Sequence, residues 1–284
     1  MQLLKRLFLI SILLIISSVV HSRDVQVFDE SYHIKGDRME FRLDMDGGEL
    51  RIEPNSVPDE CAVYMRYNKE KVDTDVDFDP KNNNLEVRID QRGLKLDSDD
   101  VEKGKWVEVA ISLPTDPLIE FYTKIKAGDV DLELGGLKLT DFELHNWAGD
   151  INVDFDEPNP VKMEYFEVNV KAGDVELRHL GNLNFAEADI NGGIGELTLD
   201  FRGQELQKAL ARIDLDIGET RVIVPYDLGV KLKVTKFLFL TNVDLPDQFK
   251  RHRRFYYSEN YDEADRVIYL RVSPGIGEFQ LDVD

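Results

Sequence analysis

Apolar and polar residues alternate along most of this chain, and the alternation restarts after a glycine seven times. The copies are Gly48-Glu49-Leu50-Arg51-Ile52, Gly128-Asp129-Val130-Asp131-Leu132, Gly149-Asp150-Ile151-Asn152-Val153 and Gly173-Asp174-Val175-Glu176-Leu177. Three more are Gly195-Glu196-Leu197-Thr198-Leu199, Gly218-Glu219-Thr220-Arg221-Val222 and Gly277-Glu278-Phe279-Gln280-Leu281. A period of two sends Ile151, Val153 and Phe155 to one face of a strand, and Asp150, Asn152 and Asp154 to the other. Between Gly128 and Gly218 the copies are spaced by 21, 24, 22 and 23 residues. A near-constant spacing of that size marks stacked units, each too small to bury its apolar face alone. Each unit reads as two short strands around a glycine corner, where a positive φ or a missing Cβ lets neighbouring rungs pass.

The expectation is an all-β stacked repeat, a β-solenoid or open ladder with about 22 residues per rung. Ahead of it, Met39 to Met45 alternate before Asp46-Gly47-Gly48, which reads as a hairpin into Leu50 and Ile52. Further strands fall near Val63, Val72 to Phe78, Leu85 to Ile89 and Trp106 to Leu113, with turns at Pro80–Asn84 and Asp97–Asp100. Pro114 and Pro117 close this antiparallel β region. Residues 1–22 are then a leader, 23–117 the N-terminal β region, 118–225 the repeat, and 226–284 a C-terminal β cap with a basic insertion. Only Gln204–Ala211 has a helical pattern, at most two turns long.

The leader changes where such a fold works. Lys5 and Arg6 precede an apolar run from Leu7 to Val20, and Val20-His21-Ser22 offers small residues for cleavage after Ser22. As a helix the run covers about 21 Å, short of the roughly 30 Å hydrocarbon core, so cleavage outweighs anchoring. An exported protein, periplasmic or extracellular, is the expectation. The net charge of −21 becomes −23 without Lys5 and Arg6, which disfavours nucleic acid and anionic membranes as partners. The single cysteine, Cys61, has no partner for an internal disulfide, reads as a core residue, and leaves stability to packing.

Candidate chemistry is sparse. Asp73, Asp75, Asp77 and Asp79 alternate with Thr74, Val76 and Phe78, which suits a solvated strand face better than a calcium loop. Gly192-Gly193-Ile194-Gly195 resembles a calcium β-helix nonapeptide, but the spacing of about 22 does not. His145 and His179 are placed at equivalent corners of successive repeats, where a metal is the minority reading. No nucleophile elbow, zinc motif or phosphate loop is present. Catalytic residues, cofactors and metals are therefore expected to be none. One segment departs from the acidic background: Lys250-Arg251-His252-Arg253-Arg254, followed by Phe255-Tyr256-Tyr257. Two readings stand for Lys250, Arg251, Arg253, Arg254, Phe255 and Tyr256. They form a docking patch for an acidic partner, or a loop neutralised by acids such as Glu259, Asp262 and Glu263.

The C-terminal third carries a resemblance in four ordered blocks. They are Ile213 to Pro225, Leu228 to Val234, Tyr256 to Ala264, and Ile268 to Phe279. An aliphatic strand ending in proline, a strand after Gly229-Val230, Ser258-x-x-Tyr261 beside an acidic turn, and a closing Gly275-x-Gly277 strand together resemble the LiaF-like, or toast-rack, bacterial envelope β-proteins. Residues 38–200 resemble adhesin modules with repeated Gly-Asp corners. The resemblance implies a stacked β-fold and, in some members, a role in sensing or regulating envelope stress through protein contacts. It implies no catalytic residues, and the leader stands where regulatory members carry several membrane helices. The expected function is non-catalytic binding of another envelope component, protein or glycan. A polysaccharide-acting β-helix enzyme and a surface adhesin are the alternatives.

Overall fold

The computed structural model describes residues 25–92, 106–236 and 240–284. The leader and the Asp97–Asp100 turn lie outside them. The N-terminal strands are β1 (Val25–His33), β2 (Arg38–Met45), β3 (Gly48–Pro54), β4 (Glu60–Asn68), β5 (Val72–Asp79), β6 (Asn84–Gln91) and β7 (Val107–Leu113). The middle holds β8 (Leu118–Ile125), β9 (Gly128–Glu133), β10 (Lys138–Asn146), β11 (Ile151–Asp154), β12 (Lys162–Met163), β13 (Tyr165–Ala172), β14 (Val175–Arg178), β15 (Asn184–Phe185) and β16 (Glu187–Asp200). Then come β17 (Lys208–Val224), β18 (Gly229–Val234), β19 (Thr241–Asp244), β20 (Phe249–His252), β21 (Phe255–Ser258), β22 (Val267–Ser273) and β23 (Ile276–Val283).

These strands build a two-faced ladder. The front face runs β5-β6-β2-β8-β10-β13-β16-β17-β22-β18-β21-β20. The back face runs β1-β4-β7-β3-β9-β11-β14-β16-β17-β23-β19. Long strands β16 and β17 pass through the corner and join the faces into one sheet of 21 strands. Pairing is parallel through the middle, because every rung crosses the same corner in the same direction. Antiparallel pairs occur where β1, β4, β5 and β21 close the ends. Rung order departs from chain order at both ends. β2/β3 lies inside β6/β7, and β18/β19 lies outside β22/β23.

The core fills the wedge between the faces. Phe41, Phe121, Phe142, Phe166 and Phe185 stack in sequence with ring centroids 5.3, 5.0, 5.1 and 6.0 Å apart. Phe155 meets Phe142 and Phe166 edge-on from the back face. Each such pair adds about 0.5–1.5 kcal/mol beyond area burial. Cys61 is fully buried in this core, and its thiol pKa is pushed up to about 12 by burial, with the Glu60 charge adding.

Two local expectations give way to tertiary pairing. Gln204–Ala211 forms no helix: residues 204–207 are irregular, and Lys208 opens β17. Ala209 and Ala211 are buried and pair with Ile268 and Leu270, while β16 covers the other edge. Two helical turns would leave both of those edges unpaired and could not sustain themselves. Asp46-Gly47-Gly48 makes no hairpin either. β2 pairs with β6 and β8, β3 pairs with β7 and β9, and the glycines turn the chain from front face to back.

Candidate functional site

The glycine corners form a column. Gly48, Gly128, Gly149, Gly173, Gly195, Gly218 and Gly277 all have φ between 123° and 157°. A Cβ built on each from Gly128 onward falls on the carbonyl oxygen of the glycine one rung earlier. The column thus needs both the backbone angle and the absent side chain. Just outside it, Ile194 and Ile217 are exposed beside Asp174, Glu196, Glu219 and Glu278, and Trp147 and Ile276 are exposed just ahead of Gly149 and Gly277. Gly192 and Gly193, read above against a calcium nonapeptide, serve packing. Their Cβ positions would strike the Leu215 side chain and the Lys171 backbone.

The two histidines do not share a corner. His145 is the penultimate residue of front strand β10, where its Nδ1 lies 3.2 Å from the Asn169 amide, itself bonded to Asn191. His179 follows back strand β14 at the far end of the next rung, with a φ of 56°. Its Nδ1 is 2.6 Å from Asp154, which also accepts Arg178 Nε at 3.0 Å. Asp154 is therefore gripped from two sides, not free in solvent. The aspartates of β5 do line one outward face, where Arg92 grips Asp73 and Arg88 meets Asp75 at 3.2 Å. The Arg92 hydrogen bond holds the Asp73 carboxyl below its usual range. Among the described residues no group of three or more His, Cys, Asp or Glu is arranged to hold a metal. A shallow groove on the back face is lined by Glu49, Glu108, Asp129, Asp131, Arg51 and Arg178. Arg51 pairs there with Glu133 and Arg178 with Asp154, so its cations serve internal ion pairs.

The basic run folds as a β-hairpin at the C-terminal end of the front face. β20 and β21 pair with Lys250 opposite Tyr257 and His252 opposite Phe255, leaving Arg253-Arg254 as the turn. Arg253 adopts a φ of 56°, a left-handed conformation that costs a non-glycine residue about 1–3 kcal/mol. The hairpin is moored through the Ser258-x-x-Tyr261 motif. Ser258 Oγ accepts the Val230 amide at 2.8 Å and donates to Asn260 at 2.6 Å, while Asn260 donates to the Tyr226 carbonyl.

Alternation then sorts the side chains. Val230, Leu232, Ile268, Leu270 and Phe249 face the core. Tyr256 packs against the same core, with Arg251 on its ring at 5.8 Å, so these two members of the run point away from the outer face. Outward stand Phe255, Tyr257 and Tyr269, with the Lys231 ammonium 4.4 Å from Phe255 and 4.7 Å from Tyr269. Arg254 lies 5.1 Å over Phe255 and Arg271 lies 4.9 Å over Tyr269. Tyr261 extends the platform at 5.1 Å from Tyr257, and burial, then Tyr257 and Asp262, raise its pKa. Such cation–ring contacts contribute about 0.5–1 kcal/mol each at exposed sites. Lys231, Tyr269 and Arg271 lie far from the basic run in sequence. Their signal was the alternation in Val230-Lys231-Leu232-Lys233 and Ile268-Tyr269-Leu270-Arg271.

Lys250 pairs with Glu259 at 2.8 Å. Among the described residues, Arg251, Arg253 and Arg254 have no carboxylate within ion-pair distance. Among the other described arginines only Arg271 also lacks one; the rest are matched, as Arg202 is with Asp200 and Asp284, Arg212 with Asp189, Arg221 with Asp282, and Arg266 with Asp227.

Residues 20–173 match the family model described as the N-terminal domain of toast_rack, and residues 173–281 match the model described as the C-terminal domain of LiaF, cell wall-active antibiotics response. No curated protein matches the sequence. Among solved structures, a putative cell adhesion protein from Clostridium sporogenes is 17% identical, covers 91% of this chain and 100% of its own, and gives a TM-score of 0.45. Structures of putative adhesins from Bacteroides fragilis and Parabacteroides distasonis are 12% and 13% identical. They cover 90% and 91% of this chain and 97% of their own, with TM-scores of 0.38 and 0.34. The two family models meet at the corner glycine Gly173, and with the first spanning more than half of the sequence, the chain belongs to the toast-rack family.

Proposed function

We propose that this chain is an exported, non-catalytic envelope protein that binds an acidic envelope component on the outward face of its C-terminal hairpin. The observation that carries the reading is the pair Arg253 and Arg254, exposed and without carboxylate partners beside an aromatic platform, in a chain of net charge −21. Counter-charges that hold a fold together sit in ion pairs, as Arg202 and Arg266 do. Cations aimed at a partner are left open, and a positive patch on an acidic body orients an anionic partner before contact. Phe255, Tyr257 and Tyr269 supply flat apolar area at small entropic cost, and Arg254 and Arg271 add charge at its rim. The envelope assignment draws on the LiaF-like family's link to the response to cell wall-active antibiotics.

The test compares capture on isolated envelopes by the wild type and by Arg254→Glu/Arg271→Glu, with Asp131→Lys as a distant charge control. Loss of capture by the double variant at unchanged Tm supports the reading. Equal capture by all three proteins overturns it.

A further inference from the structure

We propose that copies of this chain associate head to tail, the β20 edge of one copy adding to the β5 edge of the next. An open ladder ends in strands with one free edge each. Here the front face ends at β5 and β20, and the back face at β1 and β19. Among the described residues none of these four has a second strand partner. A free edge is a row of unpaired N–H and C=O groups, ready to template another strand.

The two front edges carry opposite charge. β5 presents Asp73, Asp75, Asp77 and Asp79 and no cation of its own; Arg92 and Arg88 pair with Asp73 and Asp75, and among the described residues Asp77 and Asp79 have no ion-pair partner. β20 and its turn present Lys250, Arg251, His252, Arg253 and Arg254 and no anion of their own; Lys250 pairs with Glu259, and the three arginines have no ion-pair partner among the described residues. Two β5 edges repel each other, and so do two β20 edges, so only the unlike pairing is left attractive. That selectivity singles out a second copy as the occupant, since this chain supplies both complementary edges.

Direction and shape agree with the charges. β20 runs parallel to the central front strands, and β5 runs antiparallel to them. Advancing one copy along the ladder axis therefore brings β20 and β5 together antiparallel. Lys250 and His252, on the outward side with Tyr257 and Phe255, then face the outward aspartates of β5. At the C-terminal end β21 and β20 extend the front face two strands past β19, about 10 Å. At the N-terminal end β1 extends the back face one strand past β4. A front ledge on one end meets a back ledge on the other, which lets copies interlock instead of abutting. Because the contact is heterologous, it propagates as a fibre unless rotation closes a ring. Arg251 lies between the two pairs that close a two-residue hairpin loop, so its backbone N–H faces the free edge.

Both readings use the turn cations Arg253 and Arg254, but this inference rests on the free edges of β5 and β20. The docking reading rests on the turn and the outward side chains of β18, β21 and β22, and the β5 variants below leave that face untouched. Sedimentation velocity of the full chain is expected to show assembly that grows with concentration and weakens with salt. Asp73→Lys/Asp75→Lys/Asp77→Lys and Lys250→Glu/Arg251→Glu/His252→Glu each lose it. Their equimolar mixture regains it, because each reversed edge meets a complementary one. Arg251→Pro, which removes the edge donor while the hairpin pairs remain, also blocks assembly at wild-type Tm, and it guards against a triple variant that fails to fold. A chain that stays monomeric up to about 1 mM, the range of weak association, overturns the proposal. Reversed variants that assemble as the wild type does, or a mixture no better than its components, overturn it as well.

Discussion

Three glycines separate the two reasons a corner excludes side chains. Gly36 has a φ of 105°, yet a Cβ there would meet only the Asn83 side-chain amide, at 3.9 Å. Gly193 has no left-handed φ, but its Cβ would overlap the Lys171 carbonyl. Gly149 combines a φ of 123° with overlap on the Gly128 carbonyl. Gly36→Ala should therefore carry backbone strain alone, about 1–3 kcal/mol. Gly193→Ala should carry overpacking alone, about 1–3 kcal/mol, because a strand backbone cannot yield without parting the rungs. Gly149→Ala should cost about the sum, roughly 2–6 kcal/mol, since the two causes act on different atoms. Urea titrations read these values as shifts of midpoint at constant m, with exposed Asp131→Ala as a control under about 0.5 kcal/mol. If Gly149→Ala costs no more than either single-cause variant, the column is not the constraint argued here.

Three further outcomes follow from the core. Thr220 holds the position filled by Val130, Ile151, Val175, Leu197 and Phe279 in other rungs; its hydroxyl is fully buried without a hydrogen-bond partner, so Thr220→Val should raise stability by about 1 kcal/mol in urea. Burial opposes ionisation of Asp46, but the Lys126 ammonium and the Gln91 amide outweigh it and hold its pKa down. A depressed carboxyl stabilises above its unfolded pKa of about 4 and loses that contribution as pH falls through the folded value. The stability gap between wild type and Asp46→Asn should therefore close below about pH 4 in acid titration. Cys61 should resist alkylation until urea unfolds the chain, and labelling under native conditions would place the thiol outside the core.

What could be read from the sequence was whatever repeats with a short period. Ile151, Val153 and Phe155 declare their face two residues at a time, and the glycines declare the rung. What could not be read depends on neighbours distant in sequence. Gln204–Ala211 has helical composition, and only β16 and β22 on either side make Ala209 and Ala211 extended. Gly47-Gly48 has the local chemistry of a hairpin, and only the competing pairings of β2 and β3 turn it into a corner. The proposed docking face was half legible. The cations and Phe255 stood out as a run, while Lys231, Tyr269 and Arg271 joined it through strand pairing, and Tyr256 left it through the same alternation.

The same physics explains why the candidate surfaces lie at the ends. An interior rung has both edges filled by its neighbours, and its outward polar residues bond along the ladder, as His145, Asn169 and Asn191 do. Little backbone capacity is left there for a partner. A terminal rung keeps one edge open, and its outward side chains have neighbours on one side only. Chain order is also broken there, at β2/β3 and at β18/β19, so these ends tolerate segments that the fixed spacing of about 22 residues forbids in the middle. The β20–β21 hairpin is such a segment, carrying cations that the repeat itself does not use. Changes are therefore best accommodated in the last rungs, because a corner change in the middle would strike the glycine column first.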